Sequence, residues 1–360
     1  MIYSITAISF FLVSIYLWRE NSPKKTRLAL ILAMLWLILH DGLRWEIGTD
    51  WENYYDFFYE QGSNFSNLHM GFVYGYFNEL SRSLVNSFSF LLVCIATFTY
   101  IVIGRLFYKY SPNPLISVCI YYCSMMGIMG SNRQLLAIVV CVISLKFVLE
   151  RRKLYFFLLV LFASSIHITA LSFLPAYYLY NYNISNKKVL LFVVVAFLVG
   201  ISRLINKLPF VEYLTMLDNL TSNTSTASYF SEEKIAGVSI VGSFKRLLYV
   251  YLAIYVRKYI KDENYDYFFK LFVFGCCIYL VFNGSYLQLM AGRGAAYYSV
   301  YESVVFSFVI IRFPIKFIQK ELLWLVLFVI YFLLMWRDMN SYFILDGVDI
   351  YNPYKSVVFM

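Results

Sequence analysis

The sequence predicts an all-α, polytopic membrane protein with about 11–12 membrane-spanning helices. Of its 360 residues, 61% are hydrophobic and only 14% are charged, a composition that soluble globular domains do not approach. Apolar runs recur from one end of the chain to the other. Because these runs do not alternate between apolar and polar residues, a helical bundle is favoured over a β-barrel. One integral membrane domain is expected over residues 1–360.

The apolar runs can be placed in order along the chain. The first, Ile2 to Leu17, has a basic cluster after it and none before it, the reverse of a signal peptide, and is expected to be a span entered from outside. The further clear runs are Leu28 to Leu39, Phe88 to Gly104, Leu115 to Met129, Leu135 to Leu149, Val189 to Ile205, Phe244 to Ile260, Phe269 to Leu289, Ala296 to Ile311 and Leu322 to Met335.

The segment from Leu154 to Tyr180 has two interpretations. As one helix its 27 residues would extend about 40 Å, which a tilted span tolerates. As two short helices it would form a hairpin that turns near Ser164, Ser165 and His167.

The basic residues favour the hairpin. Arg151 to Lys153 precede the segment and Lys187 with Lys188 follow it, so both ends are expected on the inner side. With a hairpin, the short basic segments all fall on the inner side. Twelve helical segments with both termini outside are therefore predicted, with larger outer segments at residues 41–84, 206–243 and 337–360.

The charge and cysteine patterns exclude several classes of protein. The net charge of +9 comes from basic residues at the ends of spans, where they orient helices, so nucleic acid is not an expected partner. All six cysteines lie in apolar spans without nearby ligand residues, and no metal site is expected. The chain has no P-loop, Rossmann glycine pattern or HExxH motif, and no cofactor is expected.

Three arginines stand at outer span ends, against the usual orientation bias, and therefore point to anion binding. They are Arg44 after the second span, Arg133 in the short gap after the fourth, and Arg293 between two later spans. A guanidinium offers five donors in a planar fork that suits phosphate. Pairing with carboxylates such as Asp50 or Glu302 is the structural alternative.

His167 is the histidine that draws most interest. It lies at the outer turn of the hairpin or, in a single helix, near mid-span, and an imidazole in either place is a functional candidate. The alternative is a packing histidine hydrogen-bonded to neighbouring hydroxyl side chains. Tyr297 and Tyr301 share a helix face with Arg293, where tyrosines usually pack or anchor the helix at the interface.

Several motifs occur in order along nearly the whole chain. They are Arg44 with Gly48-Thr49-Asp50 and Tyr54; Arg133 before Leu135-Leu136-Ala137-Ile138; Phe162-Ala163 to His167 and on through Ala170 and Leu171 to Pro175; Arg293 with Tyr297-Tyr298; and Pro353-Tyr354. Together they resemble the EpsG family of bacterial exopolysaccharide and O-antigen polymerases, grouped as Wzy-like. Gln134 follows the motif arginine, which leaves open whether Arg133 or Gln134 has its role.

The resemblance implies a GT-C-like glycosyltransferase of the bacterial inner membrane, with its active site facing the periplasm. It would polymerise undecaprenyl-pyrophosphate-linked oligosaccharides into O-antigen or exopolysaccharide without a cofactor. A chain-length regulator and a flippase are candidate protein partners beside the bilayer. The implied catalytic base is His167, with Asp50 as second choice. The implied binding residues are Arg44, Arg133 and Arg293 for pyrophosphate, and Gln134, Tyr54, Tyr297, Tyr301 and Glu302 for the rest of the substrate.

Three alternatives remain. A flippase or transporter of lipid-linked oligosaccharides would place ionisable residues along a central path and contain repeats, whereas here they gather at one face. An O-antigen ligase would use the same donor. A non-enzymatic scaffold would not require arginines at three outer turns.

Overall fold

The computed structural model describes residues 2–60, 71–125, 129–208, 238–346 and 349–359. Within these ranges the chain forms fourteen α-helices and no β-strand, apart from an isolated antiparallel bridge between Arg44 and Ser356. The predicted all-α helical bundle is confirmed. Residues 61–70 and 209–237, which belong to two of the predicted outer segments, lie outside the described ranges.

The helices follow the apolar runs in order. The first eight are α1 (Ile2–Glu20), α2 (Pro23–Gly42), α3 (Trp51–Glu60), α4 (Phe72–Leu84), α5 (Phe88–Tyr110), α6 (Pro114–Met125), α7 (Asn132–Leu149) and α8 (Lys153–Ile166). The other six are α9 (Ala176–Asn181), α10 (Asn186–Ile201), α11 (Ile240–Arg257), α12 (Glu263–Phe282), α13 (Ala295–Arg312) and α14 (Phe317–Asp346). A 3₁₀-helix covers Ile168–Phe173, and a π-helical turn, Met290–Gly294, leads into α13.

Six of the described helices are long and apolar enough to cross a membrane: α1, α5, α7, α12, α13 with its preceding turn, and α14. The chain is therefore a multi-pass membrane protein. The other apolar runs form shorter or more polar helices, and this explains why fewer helices meet the length requirement than the dozen segments predicted. For example, α6 has 12 residues and α8 has 14.

The segment between residues 154 and 180 is broken at the predicted place. Helix α8 ends at Ile166, and His167 follows with an extended backbone (φ −149°, ψ 116°) before the 3₁₀-helix begins. The single-helix interpretation is therefore wrong. The side of the membrane on which each end lies stays a prediction.

The chain divides into two compact units. The larger unit contains Met1–Leu171 and Glu302–Met360, and the smaller unit contains Ser172–Tyr301. The single membrane domain expected over residues 1–360 stays a prediction.

Packing in the larger unit joins the two ends of the chain. Helices α1, α2, α5, α6, α7 and α14 contact one another, and α8 packs on α7. The Arg19 guanidinium on α1 binds both carboxylate oxygens of Glu321 on α14, each at 2.6 Å. The buried Trp324 donates from Nε1 to Ser14 Oγ at 2.9 Å. The last helix is thus fixed to the first, which brings the C-terminal tail back to the loop after α2.

Candidate active site

Arg44, in the loop after α2, is buried, with only 1% of its surface exposed. Its Nε donates to Ile47 O at 3.2 Å, and its Nη2 donates to Asn132 Oδ1 at 2.5 Å. Its Nη1 donates to the backbone oxygen of Asp41 at 2.6 Å and forms an ion pair with the Asp41 carboxylate. The guanidinium therefore connects the end of α2, the following loop and the start of α7. Its predicted contact with lipid pyrophosphate stays a prediction, and the geometry gives it a positioning role.

Two glycines allow the loop after α2 to touch the loop before α7. Gly48 and Gly130 both have left-handed backbones, with φ of 106° and 103°. A Cβ on Gly48 would stand 2.7 Å from the Gly130 Cα, and a Cβ on Gly130 would stand 2.9 Å from the Thr49 nitrogen. Only glycine permits both this conformation and this approach. The contact places Asp50 beside the first residues of α7.

Asp50 is held by the residue that begins α7. Ser131, the N-cap of α7, donates its hydroxyl to Asp50 Oδ2 at 3.2 Å and makes no side-chain capping bond to the helix. In many helices the side chain of the N-cap residue accepts a hydrogen bond from the first turn, but the Ser131 hydroxyl orients a carboxylate instead. Asp50 is half-buried, and its predicted role as a base stays a prediction.

The C-terminal tail closes one side of this loop. Trp45 N donates to Lys355 O at 3.0 Å, Gly48 N donates to Ile350 O at 3.1 Å, and Val357 N donates to Leu43 O at 3.1 Å. These backbone bonds continue the bridge between Arg44 and Ser356. The exposed Lys355 also pairs with Glu46, which lowers the pKa of that carboxyl. The tail therefore acts as a support for the loop that contains Arg44 and Asp50.

Arg133, the second residue of α7, joins that helix to the end of α8. Its Nε donates to Ile166 O at 3.2 Å, so the guanidinium lies against the residue that directly precedes His167. Gly71 completes the arrangement with a φ of 81°, since a Cβ there would stand 2.8 Å from Ser165 O and 3.4 Å from Arg133 Nη2. Arg133 is half-buried, in contrast to Arg44.

Tyr54 and Tyr74 are buried side by side next to Arg133. Their ring centroids are 5.4 Å apart, and the Arg133 backbone hydrogen-bonds the Tyr54 hydroxyl. Burial raises the pKa of Tyr54 above its usual range and raises that of Tyr74 to about 12, so both phenols stay protonated at neutral pH. The proximity of Tyr54 to Arg133 had no signal in the sequence, and the predicted contact of Tyr54 with substrate stays a prediction.

His167 is oriented by its neighbours. Its backbone nitrogen donates to Ala163 O at 3.0 Å, and its Nδ1 lies 2.7 Å from Thr169 Oγ1. The imidazole is half-buried. The contact at Nδ1 fixes the ring plane and matches the packing alternative, in which a neighbouring hydroxyl binds the imidazole. The predicted role of His167 as a base stays a prediction. The larger unit therefore brings together Asp50, Tyr54, Arg133 and the backbone that carries His167.

Arg293 lies in the smaller unit, in the π-helical turn before α13, where it is half-buried. Ser172 Oγ donates to Gly294 O at 3.0 Å, and Tyr298 donates from its hydroxyl to Ser172 O at 2.8 Å. These bonds fix the turn. The neighbouring Gly292 is exposed, with open space where a Cβ would stand.

The remaining candidates are buried. Tyr297 and Tyr301 lie in the core of the smaller unit, where the Tyr301 ring stacks on Phe268 at 5.7 Å. Gln134 and Glu302 are buried in the larger unit, with 2% and 7% of their surfaces exposed. Their predicted contacts with substrate stay predictions, and the stacking of Tyr301 matches the packing alternative.

Comparison with known protein families matches residues 27–356 to the EpsG family. The chain belongs to the EpsG family. The resemblance inferred from the ordered motifs is therefore confirmed, and it indicates a polysaccharide polymerase-like role. No curated protein and no solved structure matches the chain.

The candidate site of this EpsG protein includes residues that the sequence interpretation missed. Asn132 accepts from Arg44, Ser131 binds Asp50, and Gly71 makes room for Arg133 and the end of α8. A signal for the first two was present, because Ser131 and Asn132 stand directly before the motif arginine at a helix start. Gly71 had no such signal, because its partners lie far away in sequence.

Proposed function

We propose that this EpsG protein is a membrane glycosyltransferase that polymerises undecaprenyl-pyrophosphate-linked oligosaccharides at the periplasmic face of the bacterial inner membrane. The observation that carries the proposal is the position of Arg133. Its half-buried guanidinium donates to the backbone that leads into His167, and Ser131, two residues before Arg133, binds Asp50. Such a transfer requires a cation for the leaving pyrophosphate and a base for the hydroxyl proton, for which an imidazole or a carboxylate is suitable.

The reaction breaks the bond between the anomeric carbon of the growing glycan and its pyrophosphate oxygen. A hydroxyl group on a fresh repeat unit attacks that carbon and forms the new glycosidic bond. The electron pair of the broken bond leaves with the lipid pyrophosphate, and the hydroxyl proton moves to a base. Because pyrophosphate is already a good leaving group, the main requirement is stabilisation of negative charge on its oxygens.

Arg133 meets this requirement in the proposal. A guanidinium stays charged beside lipid and matches phosphate with parallel donors. Arg133 also stands in the first turn of an 18-residue helix, whose dipole favours a nearby anion. Arg293 is the second phosphate-binding candidate, and the open space at Gly292 gives a ligand access to its turn. Arg44 holds Asn132 and thereby the start of α7.

His167 is the proposed base, because Thr169 fixes its ring and its half-buried position leaves the imidazole within reach of a ligand. Asp50 is the second choice. Sugar rings stack on partly exposed aromatic faces, and Trp45 and Tyr55 offer such faces beside the Asp50 loop.

The proposal is tested by incubating the purified chain with defined undecaprenyl-pyrophosphate repeat units. A polymerase yields a ladder of glycans and releases lipid pyrophosphate in step with each bond. Movement of the substrate across a vesicle membrane without polymer would indicate a flippase instead. Transfer only to a lipid A core acceptor would indicate a ligase.

A further inference from the structure

The smaller unit contains an apolar groove that the proposed reaction does not use. Its volume is about 540 Å³, in the range of sites for sizeable ligands. Three elements form its walls: α9 with the segment that follows it, α10, and α12. Tyr178, Phe192 and Val195 line it and remain 58%, 49% and 47% exposed, so the groove is open along one side.

The groove is closed at one end and polar at the other. At the closed end α10 touches α12, since a Cβ on Gly200 would stand 1.9 Å from Leu280 O. At the polar end the buried Lys270 donates to the backbone oxygens of Tyr180 and Tyr182, at 3.1 and 3.2 Å. A ligand in the groove therefore has one apolar end and one end beside positive charge.

The charge at the polar end is mainly basic. Asp266 pairs with both Arg257 and Lys270, and Asp262 caps α12, so these carboxylates are already engaged. Lys187 and Lys188, in the first turn of α10, are exposed, and neither has an ion-pair partner among the residues that the structure describes. These two lysines can accept an anionic headgroup.

The length of the groove indicates which kind of ligand it can hold. Its wall on α10 runs from Val189 to Val199, which corresponds to about 15 Å of helix. That is about half of a bilayer core of roughly 30 Å, and so the depth of one leaflet. Basic residues between membrane helices are a recognised feature of sites for anionic phospholipids. We propose that this groove binds one acyl chain of an anionic phospholipid, with the phosphate at Lys187 and Lys188.

Two adjacent valines provide the matched test. Val194 and Val195 are exposed to similar extents, 41% and 47%, but only Val195 lines the groove. The full-length protein is placed in vesicles that contain phosphatidylglycerol with a photoreactive acyl chain, and the cross-linked peptides are identified by mass spectrometry. We expect cross-links on α10 and α12, lost at least about tenfold in Val195→Trp and retained in Val194→Trp.

The headgroup is tested separately. Replacing Lys187 and Lys188 with glutamine should weaken the preference for phosphatidylglycerol over phosphatidylcholine by about five-fold for each lysine. The control pair is Lys24 and Lys25, at the start of α2, whose replacement should leave the preference unchanged. This second variant keeps the proposal testable if Val195→Trp does not fold.

Three results would overturn the proposal. Equal labelling by phosphatidylcholine would remove the headgroup assignment, and equal loss in both valine variants would place the lipid elsewhere. Displacement of phosphatidylglycerol from the groove by a polyprenyl phosphate would assign the groove to the donor lipid. Each result is independent of whether the protein polymerises glycans.

Discussion

Arg133 and His167 are connected through a single backbone group: the Arg133 Nε donates to Ile166 O at 3.2 Å, and Ile166 is bonded directly to His167. A proposed phosphate-binding cation and a proposed base are thus positioned by the same contact between α7 and the end of α8. A movement of either helix would change both groups together.

The role of His167 is tested by replacing it with alanine. If the imidazole accepts the hydroxyl proton, the rate of polymerisation should fall by at least about 10²-fold, with substrate binding largely kept. Thr169→Val, which removes the hydroxyl that contacts Nδ1, should cause a smaller loss. Normal turnover by His167→Ala, together with a large loss in Asp50→Asn, would assign the base to Asp50.

Gly71 should tolerate no side chain. Gly71→Ala places a Cβ 2.8 Å from Ser165 O at a φ that L-residues rarely adopt, which should cost about 1–3 kcal/mol of stability and misplace Arg133. The control is Gly75→Ala in α4, where the nearest atom would be 4.0 Å away and a gain of about 0.5–1 kcal/mol is expected. Thermal unfolding of the two purified variants measures the difference. Equal stability would show that the Gly71 conformation is not required.

Replacing Arg44 is expected to lower the stability of the fold, and any loss of catalysis is expected to follow from that. Arg44→Ala leaves the Asp41 carboxylate buried without its cation, which should cost about 3–5 kcal/mol. Arg337 pairs with Asp338 in an exposed position, and Arg337→Ala should cost no more than about 1 kcal/mol. The melting temperatures of the two purified variants measure both losses of stability. A fully stable Arg44→Ala protein that has lost polymerisation would instead indicate direct contact with the substrate.

Arg293→Ala should abolish chain growth while the protein still inserts into the membrane. The reason is the loss of a proposed phosphate-binding cation from a turn that Ser172 and Tyr298 hold in place. Arg293→Lys should restore little, because an ammonium lacks the planar fork. Arg203→Ala, at an exposed arginine of the same unit, is the control. Normal ladders from Arg293→Ala would contradict the proposed binding of phosphate by this residue.

The structural features that the sequence predicted are those that depend on local periodicity and on charge at helix ends. Continuous apolar runs predicted the helical bundle, and the basic residues on both sides of the 154–180 segment predicted a break near His167, where α8 ends. The ordered motifs predicted the family. Each of these signals lies within a short stretch of chain or in the order of such stretches.

The remaining features depend on contacts between distant parts of the chain. The contact between Gly48 and Gly130 and the bridge between Arg44 and Ser356 have no local signal. Arg44 was predicted to bind an anion at an outer span end, with pairing to a nearby carboxylate as the alternative, and the structure buries it against Asp41 and Asn132. Asp41 stands three residues before Arg44 at the end of α2, and this spacing was the available clue to a local ion pair.

The most direct test of the proposed function compares two arginines that both donate to a backbone carbonyl in the larger unit. Arg133 binds Ile166 O, and Arg82 binds Phe58 O at 3.0 Å. The measurement is the glycan ladder formed from defined undecaprenyl-pyrophosphate repeat units. Arg133→Ala should yield single repeat units with no released lipid pyrophosphate, whereas Arg82→Ala should still form long chains. Normal ladders from folded Arg133→Ala protein would contradict the assignment of Arg133 to the pyrophosphate.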